Sequence, residues 1–299
     1  MKKKIVFATD NNFLVFSFVA IYSLLKNCQY PDKLEIYLLH DGSIKQKKFY
    51  SYLKKLKNSL KADFTLTLKS IGNVYENSPL SISHISKATF YRLYIPSLFP
   101  DEQVLYLDSD ILVLQDILEI FQTEIKDSYL AGVYAPGYHE NESWVKDYCK
   151  RNLLPSLNSY VNAGVLIFNN PKIIKDGVFN KFNSLSFRKF DSQDQDILNS
   201  VCYGRIFPLR YKYNAMLSKY SDRLELLHQV FGSDVESDIK NPVIIHFADK
   251  KKPWNDKKID SAEIWWKYAN ELGVKKEIIV RYFIMERIKW LLKRLFCQS

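Results

Sequence analysis

Two aspartates stand two residues apart in the segment VLYLDSDILV, directly after an apolar run. When such a pair follows a strand, carboxylates with the spacing of Asp108 and Asp110 can turn together toward one hard divalent cation. The same tripeptide is also common as a polar turn between two strands. The pair is therefore a candidate metal site that needs support from other residues.

His246 offers that support from a distant part of the chain. It lies near the end of the apolar run PVIIHF, and three consecutive lysines follow, Lys250, Lys251 and Lys252. An imidazole can join two carboxylates on Mn²⁺ or a similar ion, and lysine ammonium groups supply positive charge for a diphosphate. The alternative interpretation is a solvated basic loop that binds nothing.

Two further polar segments stand where elements begin. Asp194 and Gln195 precede a helical apolar pattern, and Asn162, Ala163 and Gly164 precede an apolar strand. Carboxylates are favoured at a helix start by the helix dipole, and small residues let a ligand approach the backbone closely. Either segment could also be purely structural, as an acidic helix start or a tightly packed strand.

Strand and helix patterns alternate along the chain and would position these residues. Predicted strands cover residues 4–9, 34–39, 63–68, 103–107, 163–168 and 242–247, and predicted helices cover residues 13–25, 43–61, 87–94 and 193–203. We expect Asn11 or Asn12 to cap the first helix and the third helix to end before Pro96. The alternation predicts an α/β fold with a mostly parallel sheet. Such sheets bind ligands at the carboxyl ends of their strands, where Asp10 and Asp108 lie.

Composition excludes several classes of protein. The 299 residues are 47% apolar and 25% charged, as in a globular chain. The net charge of +10 favours an anionic partner, but no nucleic-acid-binding module is recognisable, so nucleic acid is not expected. The four cysteines form no C-x-x-C pattern, which argues for a reducing compartment and against a disulfide framework or a zinc site. The apolar run over residues 13–25 is too short to span a bilayer, so no transmembrane segment is expected.

The order of the motifs is more specific than any single one. IVFATDNN, HIS…ATFYRLYIP, VLYLDSDILV, YVNAGVLIFN, DQDILN and HF…KPW follow one another along residues 3–256. In this order the sequence resembles the retaining glycosyltransferases of family 8, which include bacterial lipopolysaccharide α-galactosyltransferases and α-glucosyltransferases and, more distantly, glycogenin. The resemblance implies a GT-A type, Rossmann-like nucleotide-sugar-binding fold with a mostly parallel central sheet, which we assign to residues 1–260.

The resemblance also implies an activity. It predicts a retaining hexosyltransferase that moves glucose or galactose from a UDP-sugar to a saccharide or glycolipid acceptor, such as lipopolysaccharide or another surface glycan. The product would carry an α-linkage. Members of the family use Mn²⁺, with Mg²⁺ as the alternative ion.

The residues that match functional positions of the family fall into three sets. The metal ligands are Asp108, Asp110 and His246. The catalytic positions are Asp194 and Gln195. The substrate-binding positions, with uridine contacts at Asp10 and Asn12, a diphosphate contact at Lys252 and an acceptor contact at His84, are Ala8, Asp10, Asn12, His84, Arg92, Asp108, Ser109, Asn162, Ala163, Asp194, Gln195 and Lys252.

Two departures from the family pattern keep alternatives open. Asp249 stands where the family has a Gly whose backbone approaches the diphosphate, and Ala135 stands where many relatives have an Asp. A degenerate member that binds a sugar without turnover is therefore one alternative. A haloacid-dehalogenase-like phosphatase with Asp108 as nucleophile is another, although that class requires Thr or Val where this chain has Leu112.

Retention allows two mechanisms. An amide oxygen is weakly basic, so Gln195 is a poor nucleophile. We therefore favour attack on the face that the diphosphate leaves, with a diphosphate oxygen accepting the proton of the acceptor and Asp194 holding sugar hydroxyls. A double displacement through Asp194 or Gln195 stays possible.

The C-terminal residues 261–299 are predicted to be a helical, basic, amphipathic tail. Residues 274–296 carry seven Lys/Arg and two Glu, and one helical face carries Val280, Ile284, Ile288, Leu291 and Leu295. Such a helix suits an anionic membrane surface, which would place the enzyme in the cytoplasm at the inner face of a bacterial membrane. The alternative is a helix packed on the domain. Because the last motif ends at Trp254, we expect the tail to take no part in building the donor site.

Overall fold

The structure is a computed structural model that describes residues 2–82, 85–138, 143–220, 222–282 and 284. Its strands are β1 (Lys3–Ala8), β2 (Leu34–His40), β3 (Thr65–Ser70), β4 (Gln103–Leu107), β5 (Ile111–Val113), β6 (Leu130–Tyr134), β7 (Val161–Asn169), β8 (Ile206–Pro208) and β9 (Ile244–His246). They form a seven-stranded sheet in the order β3-β2-β1-β4-β7-β6-β8 and a two-stranded sheet of β5 and β9.

The central sheet is mixed and mostly parallel, which confirms the predicted fold class. Strands β3, β2, β1 and β4 run parallel, as do β6 and β8. Strand β7 is antiparallel to both of its neighbours, β4 and β6. The carboxyl end of β4 therefore lies beside the amino-terminal half of β7, where Leu107 pairs with Val165.

Helices cover the faces of the sheet. The α-helices are α1 (Leu14–Asn27), α2 (Gln46–Ser59), α3 (Ile95–Leu98), α4 (Trp144–Arg151), α5 (Asn170–Lys175), α6 (Val178–Leu185), α7 (Asp194–Val201), α8 (Leu217–Tyr220), α9 (Leu224–Phe231), α10 (Val235–Lys240) and α11 (Ala262–Glu271). Short 3₁₀ helices occupy Pro31–Lys33, Lys87–Tyr94, Leu118–Gln122, Pro136–Tyr138 and Tyr211–Tyr213. A further helical stretch covers residues 275–282.

Two core clusters lie on opposite faces of the sheet. Side chains alternate along a strand, so β1 sends Ile5 and Phe7 into one cluster and Val6 and Ala8 into the other. The first cluster also contains α1, in which twelve of fourteen residues are buried. This burial explains why the apolar run that begins near Phe13 is a core helix.

Two local predictions were wrong. Neither predicted asparagine caps α1: Asp10 Oδ1 accepts the backbone N–H groups of Asn12 at 2.6 Å and Phe13 at 2.9 Å, while Asn11 Nδ2 donates to Ser43 O at 3.0 Å. The helix predicted over residues 87–94 is present as a 3₁₀ helix, but helical structure does not end before Pro96, because this helix passes directly into α3. Proline fits there because the first turn of a helix does not use its backbone N–H groups.

The beginning of the predicted tail packs into the first core cluster. Trp265 of α11 is fully buried with its ring 5.1 Å from Trp254, and Ile278 is 2% exposed. On the next turns Val280 is 56% and Ile284 50% exposed. The remaining residues of the predicted apolar face, Ile288, Leu291 and Leu295, lie outside the described residues. Across the described part of the chain, no helix combines the length and apolar character needed to cross a membrane.

Candidate active site

A cavity of about 300 Å³ lies at the carboxyl ends of β1 and β4. The predicted site residues that line it are Ala8, Arg92, Asp108, Ser109, Asp110, Asn162, Ala163, Asp194, Gln195, His246 and Lys252. Asn12 instead lines a neighbouring cavity of about 560 Å³, and Phe13 lines both. Asp10 lines neither of them, and His84 lies outside the described residues.

Three possible metal ligands meet at the end of the two-stranded sheet. One ligand atom from each of Asp108, Asp110 and His246 lies within 4.8 Å of the other two. His246 Nε2 is 3.3 Å from Asp110 Oδ1 and 3.8 Å from Asp108 Oδ2. The pairing of β5 with β9 causes this approach, because it sets His246 opposite Ile111, the residue after Asp110.

A chain of hydrogen bonds fixes the proton on His246. The N–H of Gly164 donates to Asn162 Oδ1 at 2.9 Å, and Asn214 Nδ2 donates to the same oxygen at 2.9 Å. Asn214 therefore turns its Oδ1 toward His246 Nδ1, at 2.8 Å. Since this oxygen can only accept, Nδ1 carries a proton, and Nε2 is the imidazole atom left to face the carboxylates and a cation between them.

Gly164 makes room for that imidazole. A Cβ atom at this position would lie 2.2 Å from His246 Cε1 and 2.7 Å from its Nδ1, closer than real Cβ contacts. The carbonyl of Gly164 also accepts the N–H of Asp108 at 2.8 Å. One residue of β7 thus supports both a carboxylate and the imidazole of the candidate metal site.

Lys252 reaches the same carboxylate cluster. Its Nζ lies 2.5 Å from Asp110 Oδ2 and also donates to Phe247 O. Burial raises the pKa of Asp110, but the positive charge of Lys252 and the contact with His246 outweigh burial and hold the pKa well below its ordinary value. Asp110 is therefore an anion throughout the physiological pH range.

Arg92 lies between Asp108, one of the possible metal ligands, and Asp194. Its Nη2 is 2.9 Å from Asp108 Oδ1, its Nη1 donates to Ala163 O, and its guanidinium lies 4.4 Å from the centre of the Tyr106 ring. Burial lowers the pKa of Arg92, but the charges of Asp108 and Asp194 outweigh it and hold the pKa above its ordinary value. Arg92 is a buried, permanently charged centre between two carboxylates.

Asp194 is 3% exposed and accepts a hydrogen bond from the Thr89 hydroxyl. Arg92 Nε lies 3.0 Å from Asp194 Oδ2 while its N–H donates to Thr89 O, so the contact with the carboxylate is electrostatic. Burial raises the pKa of Asp194 to about 6, because the charge of Arg92 offsets the desolvation only in part. The preceding Gln193 adopts φ 53°, a strained conformation for this residue that is typical of functional sites.

Gln195 is oriented by β7. Its Oε1 accepts the N–H of Ala163 at 3.0 Å and Asn162 Nδ2 at 3.2 Å, and its Nε2 donates to the Tyr160 hydroxyl at 3.1 Å. Tyr160 in turn donates to the buried Asp196 at 2.5 Å. The amide is therefore fixed with its oxygen already accepting two hydrogen bonds.

Sequence reasoning did not identify several residues of this network. Asn214, Tyr160 and Thr89 support the predicted residues from other elements, and no local pattern distinguishes them from ordinary polar residues. Phe13 could have been noticed, because an aromatic residue directly after the strand-end motif TDNN is well placed to border a ligand. Arg281, from the predicted tail, donates to Asn12, one of the predicted substrate-binding residues.

The sequence profile of glycosyl transferase family 8 matches residues 4–258, and the chain belongs to this family. Glycosyltransferase GlyE of Streptococcus pneumoniae is 28% identical over 274 residues, which cover 90% of this chain and 61% of GlyE. Lipopolysaccharide 1,2-glucosyltransferase of Escherichia coli is 26% identical over 87% of this chain and 73% of its own length.

Among solved structures, the galactosyltransferase LgtC, crystallised with donor and acceptor sugar analogues, superposes with a TM-score of 0.72 at 24% identity. The match covers 89% of this chain and 95% of LgtC. The chain therefore has the GT-A fold of a glycosyltransferase, with a carboxylate–histidine cluster in the cavity at the carboxyl ends of β1 and β4.

Proposed function

We propose that this glycosyltransferase moves glucose or galactose from a UDP-sugar to a saccharide or glycolipid acceptor, with retention and with the help of a divalent cation. The observation that carries the proposal is the convergence of Asp108, Asp110 and His246 in one cavity, with Lys252 beside them. The names of two similar proteins, a glucosyltransferase and a galactosyltransferase, support a hexose donor.

The three residues fit a divalent cation such as Mn²⁺ or Mg²⁺. Asp110 is held ionised, and His246 directs Nε2 toward the carboxylates because Asn214 holds its other nitrogen. Two carboxylates with one imidazole form a donor set suited to Mn²⁺. When bound, the ion would neutralise the charge that develops on a departing diphosphate.

Lys252 adds a second positive charge for the diphosphate. Its ammonium sits between Asp110 and Phe247 O, at the mouth of the same cluster. We propose that it binds a diphosphate oxygen directly. The uridine would lie toward Asp10, Asn12 and Phe13, whose ring borders the cavity at the end of β1.

The state of Gln195 and Asp194 favours attack on the face that the diphosphate leaves. The amide oxygen of Gln195 already accepts two hydrogen bonds, which lowers its nucleophilicity further. Asp194 is tied to Thr89 and to the charge of Arg92. Both residues are therefore better suited to hold sugar hydroxyls than to form a covalent bond, and a diphosphate oxygen would accept the acceptor's proton.

A lipopolysaccharide or other surface glycan is the acceptor class that we propose, with the exposed part of the tail of residues 261–299 resting on an anionic membrane from its cytoplasmic side. Residues 1–260 would form the catalytic domain. Val280 and Ile284 are exposed apolar residues on the tail, and residues 274–296 carry a net charge of +5. Vesicle sedimentation with anionic and neutral lipids tests this part, and equal sedimentation with both would contradict it.

A donor screen tests the activity. We expect UDP release from UDP-glucose or UDP-galactose, but not from UDP-N-acetylglucosamine, in the presence of Mn²⁺ and not of EDTA. Asp110→Asn serves as the inactive control. No UDP release from any donor, together with hydrolysis of a phosphomonoester, would favour the phosphatase alternative. UDP binding without turnover would favour the degenerate family member.

A further inference from the structure

The main-chain oxygen and the side-chain oxygen of Asn12 both accept hydrogen bonds from one residue of the tail. Arg281 Nη1 donates to Asn12 O at 2.8 Å, and Arg281 Nη2 donates to Asn12 Oδ1 at 2.9 Å. Because the guanidinium can only donate, Oδ1 must face it, and the amide Nδ2 points to the other side. Among the described residues, none accepts a hydrogen bond from this Nδ2, so it is available to a ligand.

The rest of the loop that follows β1, residues 9–13, is held by hydrogen bonds to groups other than Arg281. Asp10 accepts the N–H groups that follow it, Asn11 donates to Ser43 O, and Lys48 Nζ donates to Asn11 O at 2.8 Å. Each of these bonds fixes the main chain or the neighbouring side chain. The side chain of Asn12 depends on Arg281 for its orientation.

Packing cannot replace Arg281. The loop borders the cavity of about 560 Å³ that is lined by Asn12, Phe13, Trp254 and Arg281. Removing the guanidinium would widen this cavity, and within the described residues no other group forms a hydrogen bond with the side-chain amide of Asn12. Charge-assisted hydrogen bonds are therefore the main restraint on this side of the loop.

The helix that carries Arg281 is firmly docked. Val274 is fully buried and Ile278 is 2% exposed, both in the core cluster that contains α1. Lys55 Nζ donates to Gly273 O at 2.7 Å, and the Tyr52 hydroxyl donates to Glu277. Arg281 thus approaches Asn12 from a fixed element.

We infer that Arg281 is a positioning residue for the nucleotide, which orients Asn12 so that its Nδ2 donates to an oxygen of the nucleoside. The inference rests on the proposed function, in which Asn12 contacts the uridine. It makes the tail a part of the donor site. The role concerns binding of the donor and leaves the chemical step to the residues around Asp108.

The test compares Arg281→Met and Arg281→Lys with Lys276→Met, a matched control at an exposed lysine of the same helix that makes no ion pair or side-chain hydrogen bond within the described residues. Calorimetry with UDP and Mn²⁺ gives the dissociation constant, and kinetics with the active UDP-hexose give KM and kcat. We expect Arg281→Met to raise the dissociation constant and KM about tenfold, as the loss of charged hydrogen bonds predicts, with kcat within about twofold. Arg281→Lys should be intermediate and the control unchanged.

A second comparison separates positioning from general stability. In an Asn12→Ala background, Arg281→Met should lose most of its effect on the dissociation constant, because the oriented side chain is gone. An equal effect in both backgrounds would overturn the inference. If the wild-type chain binds UDP and Arg281→Met binds it equally well, the inference about Arg281 is overturned and the proposed function stands. A wild-type chain that binds no UDP would overturn the proposed function as well.

Discussion

Replacing Gly164 by Ala should disturb the candidate metal site without replacing any of its ligands. The new Cβ would lie 2.2 Å from His246 Cε1, about 1.2 Å inside the 3.4 Å at which ordinary contact begins. His246 has to move by about that much, since the strand on the other side is fixed by the bond from Asp108 N to Gly164 O at 2.8 Å.

Such a displacement is large for a metal ligand. Ligand distances tolerate only about 0.2 Å, so the imidazole would be lost from the site. We expect Mn²⁺ to bind at least about tenfold more weakly in Gly164→Ala, in keeping with the effect of disturbing ligand orientation. The crowding itself should lower the free energy of unfolding by about 1–3 kcal/mol.

Mn²⁺ titration followed by electron paramagnetic resonance, together with a thermal melt, measures both quantities. His246→Ala and the double variant Gly164→Ala/His246→Ala are the matched controls. In the double variant the crowding is relieved, so its metal affinity should equal that of His246→Ala. Unchanged Mn²⁺ affinity in Gly164→Ala would refute the reasoning, and so would further loss in the double variant.

Four other changes test separate parts of the site. Asp110→Asn should abolish transfer without unfolding the protein, as judged by UDP release and circular dichroism, because it removes a metal-binding charge at constant volume. Asp249→Gly should leave KM for the UDP-sugar equal or lower, because Asp249 is exposed and, among the described residues, its carboxylate accepts a hydrogen bond only from Lys250 N; a tenfold rise would contradict this. Burial raises the pKa of Asp194 to about 6, so the folded protein retains a proton that the unfolded chain releases above about 4, and stability should fall as the pH rises from about 4 to 6. Urea unfolding should show that about 3 kcal/mol of this decrease in unfolding free energy is absent in Asp194→Asn, and an unchanged pH dependence would count against the prediction. Deleting residues 285–299 should reduce sedimentation with anionic vesicles without changing the melting temperature, whereas deletion from Val274 onward should lower both the melting temperature and UDP affinity.

The sequence was sufficient to predict most strands that carry the site, namely β1, β4, β7 and β9, but not β5. Apolar runs ending in Asp10, Asp108 and His246 indicated strand ends, and carboxyl ends of strands in an α/β sheet collect at one edge. The pairing of β5 with β9, which brings His246 to Asp110, could not be predicted because the two strands lie more than 120 residues apart in the chain. The family resemblance substituted for that information.

Other features depend on contacts that no local pattern records. Asp10 holds the turn before α1 because its carboxylate accepts two N–H groups, and neither Asn11 nor Asn12 caps the helix. Asn214 and Arg281 reach the site from distant segments. Helical periodicity predicted the amphipathic tail, but it could not distinguish a face that packs on the core from one that faces away. Val274 and Ile278 belong to the first kind, and the exposed residues after them to the second.

All four main-chain groups of two consecutive residues in β7 are engaged within the site. The N–H and C=O of Ala163 serve Gln195 and Arg92, and those of Gly164 serve Asn162 and Asp108. Substitution of a neighbouring side chain leaves these groups in place, but gaining or losing one residue shifts all four and turns alternate side chains to the opposite face of the sheet. The main-chain contacts thus tolerate changes in the side chains around them, while the number of residues in this strand has to stay constant.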